Sequence, residues 1–370
     1  MTLLVKRLYE DLTVLHENTL PDHAYFIPTS RKAGKPGTPP REDSDRIQFL
    51  SGSDWDFRYF PSIHSLTDEF YREDYAPDPA WRPETVPFAW QMRGYDTHQY
   101  TNIRYPFPFD PPYVPRENPC GAYRHTFTWH ADPEAPRAHL IFEGVDSCFF
   151  VWLNGTYVGY SQVTHHTSEF DVTDLLREGD NLLAVLALKW CDGSYLEDQD
   201  KFRMSGIIRD VYLVRRPEPH ISDYVITTSL SEDLRTADVG IRFFYNKGPL
   251  PVTVRLFDAD LPENETLAIP LTGSEVHFTV RAPLLWTAET PHLYPLLIET
   301  EGETISERIG FREVRVTNGV VLLNGSPIKF RGVNRHESDP VTGPVMTREK
   351  ILRDLTLIKA HNFNAVRASH

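Results

Sequence analysis

Short runs in which apolar and polar residues alternate, broken by turn residues, fill the chain from about residue 46 to 217. Tyr123-Arg124-His125-Thr126-Phe127-Thr128-Trp129 alternates at every second position, the period of a strand with one covered face. Phe149–Leu153 and Thr156–Tyr160 flank Asn154-Gly155, a pair suited to a two-residue hairpin because both turn positions need positive φ. Leu182–Leu188 is apolar throughout, which predicts a strand covered on both faces. Many strands and no long helical period predict a jelly-roll β-sandwich over residues 46–217. Arg216-Pro217-Glu218-Pro219 marks its end, since proline cannot continue a ladder and stiffens a linker. Residues 218–312 continue with short strands such as Val239–Phe243, Val252–Leu256 and Val276–Val280, predicting an immunoglobulin-like β-sandwich without the Cys…Trp…Cys core of antibody domains.

From residue 313 the rhythm changes. The stretch Lys329–Arg335 reads as a strand, and His336-Glu337 as the start of the loop after it. Thr347 is placed to cap a helix whose Ile351, Leu355 and Ile358 fall on one face. Phe363–Arg367 then reads as a second strand, and this spacing implies two parallel strands joined by a crossover helix. Residues 313–370 are therefore expected to open a TIM-type β/α barrel whose other strands are not in the chain. Residues 1–45, polar and rich in proline as in Lys35-Pro36-Gly37-Thr38-Pro39-Pro40, predict an extended arm or linker.

A length of 370 residues suits two or three domains, and 40% hydrophobic with 24% charged residues is ordinary for globular proteins. The net charge of −14, with no Lys/Arg cluster, speaks against nucleic acid or an anionic membrane as partner. The N-terminus lacks the apolar stretch of a signal peptide, and no apolar run is long enough to span a bilayer. Cys120, Cys148 and Cys191 fit a reducing compartment without disulfides, and without a CxxC pair a structural zinc is not expected.

Three stretches offer chemistry. Asp192–Asp200 carries four acids in nine residues, which repel one another unless donors or a cation offset them. A solvated acidic loop, a carboxylate metal site and a sugar-binding loop all fit, although the spacing is not that of an EF-hand. Tyr100–Tyr113 is dense in aromatic residues and prolines. It suits either a platform for the apolar face of a sugar ring or a stiff loop packed on its own sandwich. His336, Arg367 and His370 would lie at the C-terminal ends of two barrel strands, the rim where barrel chemistry sits. Pro340 and the absence of a second histidine rule out a zincin helix at His336-Glu337.

These stretches carry a resemblance. Trp90-Gln91-Met92, Tyr100-Thr101-Asn102, Pro106–Pro119, Phe142–Val145, Asp192–Asp200, Arg203–Gly206, Trp286–Tyr294, Gly310–Arg312, Arg331–Glu337 and Asn364–His370 together resemble the N-terminal portion of the family 2 glycoside hydrolases. Within that family the likeness is to the large cytoplasmic β-galactosidases of the lactose-operon type, and it runs from about Asp54 to His370. It implies retaining hydrolysis of terminal β-D-galactosides. It also implies that Asn102, Asp200, His336 and His370 bind the galactosyl group, that His336, His370 and Arg367 support the transition state, and that Asp200 also touches a sodium ion. One departure is Lys201-Phe202, where the family more often shows an apolar residue and tryptophan. The acid/base, the nucleophile and the magnesium ligands would lie on later barrel strands, so neither Glu337 nor Asp339 is expected to act as the catalytic acid. A homo-oligomer, or pairing with the remaining barrel, is the partner expectation. The competing readings are a non-catalytic carbohydrate-binding or complementing chain, and a family 2 hydrolase for a glucuronide or mannoside.

Overall fold

A computed structural model describes residues 4–37, 41–102, 104–197, 199–260 and 264–369. The predicted site residue His370, the acid Asp198 of the acidic loop, Ile103 of the aromatic stretch and Thr38–Pro40 lie outside the described residues.

The first sandwich packs a seven-stranded antiparallel sheet on a four-stranded one. Gly179–Leu188 lies inside the larger sheet, between Cys148–Leu153 and Cys120–Trp129. Its side chains alternate between two cores. Leu183, Val185 and Ala187 enter the layer between the sheets with Phe57, Trp90 and Phe142. Ala184, Leu186 and Leu188 enter a second layer with Phe70, Trp81 and Trp152. That double burial is why the run needs no polar position. Cys148–Leu153 turns into Thr156–Gln162 through Asn154 at φ 52° and Gly155 at φ 78°, the left-handed pair the hairpin requires.

The second sandwich sets three strands, Ile221–Leu230, Thr236–Tyr245 and Glu275–Arg281, against a five-stranded sheet. Val239, Ile241, Val254, Leu296 and Ile305 fill the space between. An edge strand of the larger sheet comes from far away in sequence: Pro28–Thr29 pairs with Thr304–Ile309. The leading segment is extended, as its composition predicts, but it is seated on its own chain. Val5 and Tyr9 enter the outer core of the first sandwich, and Phe26 enters that of the second. His16–Glu17 pairs with Tyr160–Ser161. Glu169 accepts from His23 Nε2 at 2.7 Å and from His139 Nδ1 at 2.5 Å, which raises the pKa of His23 and clasps the segment to the first sandwich. Periodicity in so polar a segment could not reveal these anchors, because each is a single side chain entering a distant pocket.

After a small sheet over Val314–Pro327, Gly332–Arg335 and Ala365–Ala368 pair in parallel, joined by the helix Arg348–Ala360. Thr347 caps that helix by accepting from the Lys350 N–H. Arg335 Nε donates to Asp354 Oδ2 at 3.0 Å, tying strand to helix. The helix buries no residue, and Leu352, Leu355 and Leu357 are exposed on it. Among the described residues no helix is long and apolar enough to cross a membrane, and all three cysteines are free and buried.

Candidate active site

The acidic loop does not form one cluster of negative charge, because its described acids diverge. Asp192 turns inward beneath a short 3-10 turn, where burial raises its pKa and the Gly193 N–H offsets part of the cost. Glu197 accepts from the Thr164 N–H and hydroxyl, both at 2.8 Å. Asp200 accepts from the Tyr100 hydroxyl. The Asp200–Tyr100 bond is set by a two-stranded ribbon in which Gln99–Thr101 pairs with Lys201–Arg203, placing Tyr100 opposite Phe202 with ring centroids 5.5 Å apart. Further along the aromatic stretch the rings gather on Tyr195, while Phe109 and Tyr113 keep exposed faces. Tyr105, Phe107 and Phe109 all contact Tyr195, whose hydroxyl donates to the Tyr113 carbonyl at 2.5 Å and accepts from the Asp110 N–H.

The ribbon forms one wall of a cleft of about 670 Å³, and the tip of the barrel unit forms the other. Tyr100, Asp200 and Phe202 face His336 and Glu337, which follow the Gly332–Arg335 strand, together with Ala368 and Ser369. Two contacts dock the barrel tip here. Arg209 donates to Glu337 Oε2 at 3.0 Å and to the His165 carbonyl at 3.0 Å. A turn closed by paired backbone bonds between Asp339 and Gly343 seats against Met204 and Met92. Asp339 accepts from the Val341 and Thr342 N–H groups and from Lys350, which holds its carboxyl far below the usual range. It is thus a turn-forming anchor.

Gly343 has φ 64°, and a Cβ there would come within 2.5 Å of Met204 Sδ. Gly343→Ala is therefore expected to weaken docking of the tip by about 1–2 kcal/mol, the cost of a left-handed alanine. Hydrogen exchange of residues 332–345 reads this directly; unchanged protection would contradict it.

Of the sequence-predicted site residues, the cleft brings together Asp200 and His336. Asn102 is exposed just beyond the ribbon and does not line the cleft. Arg367 is exposed on its strand and donates to Ser369 Oγ at 2.8 Å, beside the cleft rather than in its lining. The cleft also holds residues the sequence reading passed over: Asp146, His165 and Arg209. Crowding by protein atoms, with the charges of Lys201 and Arg209 added, pushes His165 down to about 3, so it is neutral at pH 7. An acid two residues ahead of the apolar run Cys148–Leu153 was the available signal for Asp146. Among the described residues no three His, Cys, Asp or Glu side chains gather to hold a metal ion. A sodium ion at Asp200 would therefore need further ligands from outside the described residues.

The model "Glycosyl hydrolases family 2, sugar binding domain" matches residues 47–217, "Glycosyl hydrolases family 2" matches 219–312, and "Glycosyl hydrolases family 2, TIM barrel domain" matches 314–370. The chain belongs to glycosyl hydrolase family 2. Among curated family 2 relatives, it is 46% identical over 373 residues to a protein named Beta-galactosidase from Actinobacillus pleuropneumoniae, covering 100% of this chain and 35% of that protein. It is 40% identical over 368 residues to Beta-galactosidase from Staphylococcus xylosus, covering 100% of this chain and 36% of the relative. The chain thus spans about a third of the length of these relatives. Among solved structures, a beta-glucuronidase of an uncultured Clostridium superposes with TM-score 0.71 at 22% identity, over 88% of this chain and 55% of that one. A beta-glycosidase from Bacteroides vulgatus superposes with TM-score 0.69 at 24% identity, over 88% of this chain and 41% of the other. At such identity the likeness is one of fold: two β-sandwiches leading into a β/α barrel.

Proposed function

We propose that this chain supplies the sugar-binding wall of a β-galactosidase active site, and that the protein it belongs to hydrolyses terminal β-D-galactosides with retention. The observation that carries the reading is the cleft where Asp200 of the first sandwich faces His336 of the barrel tip. A carboxylate and an imidazole on opposite walls suit a hexose, whose hydroxyls both donate and accept. The named relatives support galactose as the sugar. Retaining hydrolysis needs two carboxyl groups about 5–5.5 Å apart, one acid/base and one nucleophile. The resemblance puts both beyond residue 370, so binding and turnover should separate in this chain. A cytoplasmic setting, assembly into an oligomer and pairing with a completed barrel belong to the same reading.

The test is titration of the 370-residue chain with methyl β-D-galactoside, followed by ligand-observed NMR, beside a chromogenic galactoside assay. Saturable binding that Asp200→Ala weakens at least ~10-fold is expected, because hydrogen bonds to a charged group contribute about 1.5–3 kcal/mol. The chain alone should show no turnover. Absence of galactoside binding, or binding indifferent to both Asp200→Ala and His336→Ala, would refute the reading.

A further inference from the structure

Among the described acids lining the cleft, Asp146 has neither a role in this galactoside reading nor a partner. Asp146 ends the two-residue strand Val145–Asp146, which pairs with Gly206–Ile207. Val145 is buried in the core between the sheets, and successive strand side chains point to opposite faces, so Asp146 turns out of the sandwich and onto the cleft. The other described acids lining the cleft have partners: Asp200 has Tyr100, Glu197 has Thr164 and Glu337 has Arg209. Among the described residues the Asp146 carboxyl has no hydrogen-bond or ion-pair partner.

Asp146 is half-buried at the cleft wall, and a carboxyl left unpaired there is open to a ligand that completes its hydrogen bonds. Burial pushes Asp146 up to about 7 against the pull of Lys201, with Glu197 adding to the rise and Arg203 and Lys189 opposing it. At neutral pH the group is therefore available partly as a carboxylic acid, which donates and accepts at once. A sugar hydroxyl satisfies both roles. A sugar carboxylate cannot donate in return, and it would add negative charge beside Asp200 and the ionised fraction of Asp146; of the cations lining the cleft, Arg209 is held by Glu337 and Arg335 by Asp354, which leaves Lys201 to offset it.

We propose that Asp146 is a sugar-binding residue that selects neutral galactosides over uronides, pairing with a ring hydroxyl and excluding a sugar carboxylate. The inference rests on the galactoside reading of the cleft and adds to it the residue that sets selectivity.

Wild type, Asp146→Asn, Asp146→Ala and Asp200→Ala chains would be titrated with methyl β-D-galactoside and methyl β-D-galacturonide, with circular dichroism as the check on fold. The wild type should bind the galactoside and not the galacturonide. Asp146→Ala should weaken galactoside binding ~10-fold, the loss of about one hydrogen bond to a polar group. Asp146→Asn keeps a donor and an acceptor without the charge, so it should hold the galactoside within about threefold and admit the galacturonide. If Asp146→Ala binds the galactoside like wild type while Asp200→Ala does not, the inference falls and the galactoside reading stands. If Asp146→Asn loses the galactoside as fully as Asp146→Ala and gains no galacturonide, Asp146 has only a structural role and the inference falls. If wild type binds no galactoside, the reading and the inference fall together.

Discussion

Arg216→Ala is expected to destabilise the chain by about 3–5 kcal/mol, the cost of leaving a buried charge without its partner. Arg216 ends the last strand of the first sandwich and is 3% exposed; Glu303 in the second sandwich is fully buried. Arg216 Nε and Nη2 each reach a Glu303 oxygen at 3.0 Å, a two-point match of guanidinium to carboxylate. Nη2 also donates to the Ile221 carbonyl at 2.6 Å, and the guanidinium lies 5.1 Å from the Phe26 ring centroid. One side chain therefore joins the first sandwich, the second sandwich and the leading segment. Removing it strands the Glu303 carboxylate in a dry interface. The pair Arg216→Met with Glu303→Leu should recover much of the loss, because apolar side chains of similar volume need no desolvation offset. Urea unfolding followed by far-ultraviolet circular dichroism measures both variants. A loss under about 1 kcal/mol for Arg216→Ala would mean that water reaches the interface and screens the orphaned acid.

Trp90→Ala should cost a similar amount, about 3–5 kcal/mol, and should loosen the ribbon that walls the cleft as well. The indole is fully buried, and its Nε1 donates to the Tyr123 hydroxyl at 2.5 Å. It occupies space that two glycines leave open. A Cβ on Gly121 would lie 2.7 Å from Trp90 Cζ2, and one on Gly206 would lie 2.9 Å from Nε1. The Trp90 N–H donates to the Ser205 carbonyl at 2.9 Å, and the Ser205 N–H donates to Gln91 Oε1 at 2.8 Å. Ser205 lies two residues beyond the Lys201–Arg203 strand, so a cavity at Trp90 removes the backing of the cleft wall. Trp90→Ala should accordingly lose galactoside affinity along with stability, while Trp90→Phe should lose less of both. Retention of full affinity by Trp90→Ala would show that the ribbon is held independently of this core.

Residues that act through neighbours in sequence were legible before any coordinates. Leu182–Leu188 states by its unbroken apolar run that both faces are covered, and Asn154-Gly155 states its turn, because left-handed backbone restricts the residue types that fit. Thr347 and the Ile351–Ile358 spacing likewise announce the crossover helix, since capping and helical period are both short-range. Family motifs added Asp200 and His336, which meet in the cleft, but also Asn102 and Arg367, which fall beside it.

What only the tertiary structure decided is which polar groups face one another. Tyr100 and Asp200 are 100 residues apart, and Arg209 and Glu337 are 128 apart. No periodic pattern spans such distances. The same holds for Pro28–Thr29 joining a sheet near residue 305 and for Asp146 standing unpaired in the cleft. Local chemistry determined the elements, because backbone preference and burial pattern are read within a few residues. Packing determined the site, because a binding surface is made where elements distant in the chain exclude water together.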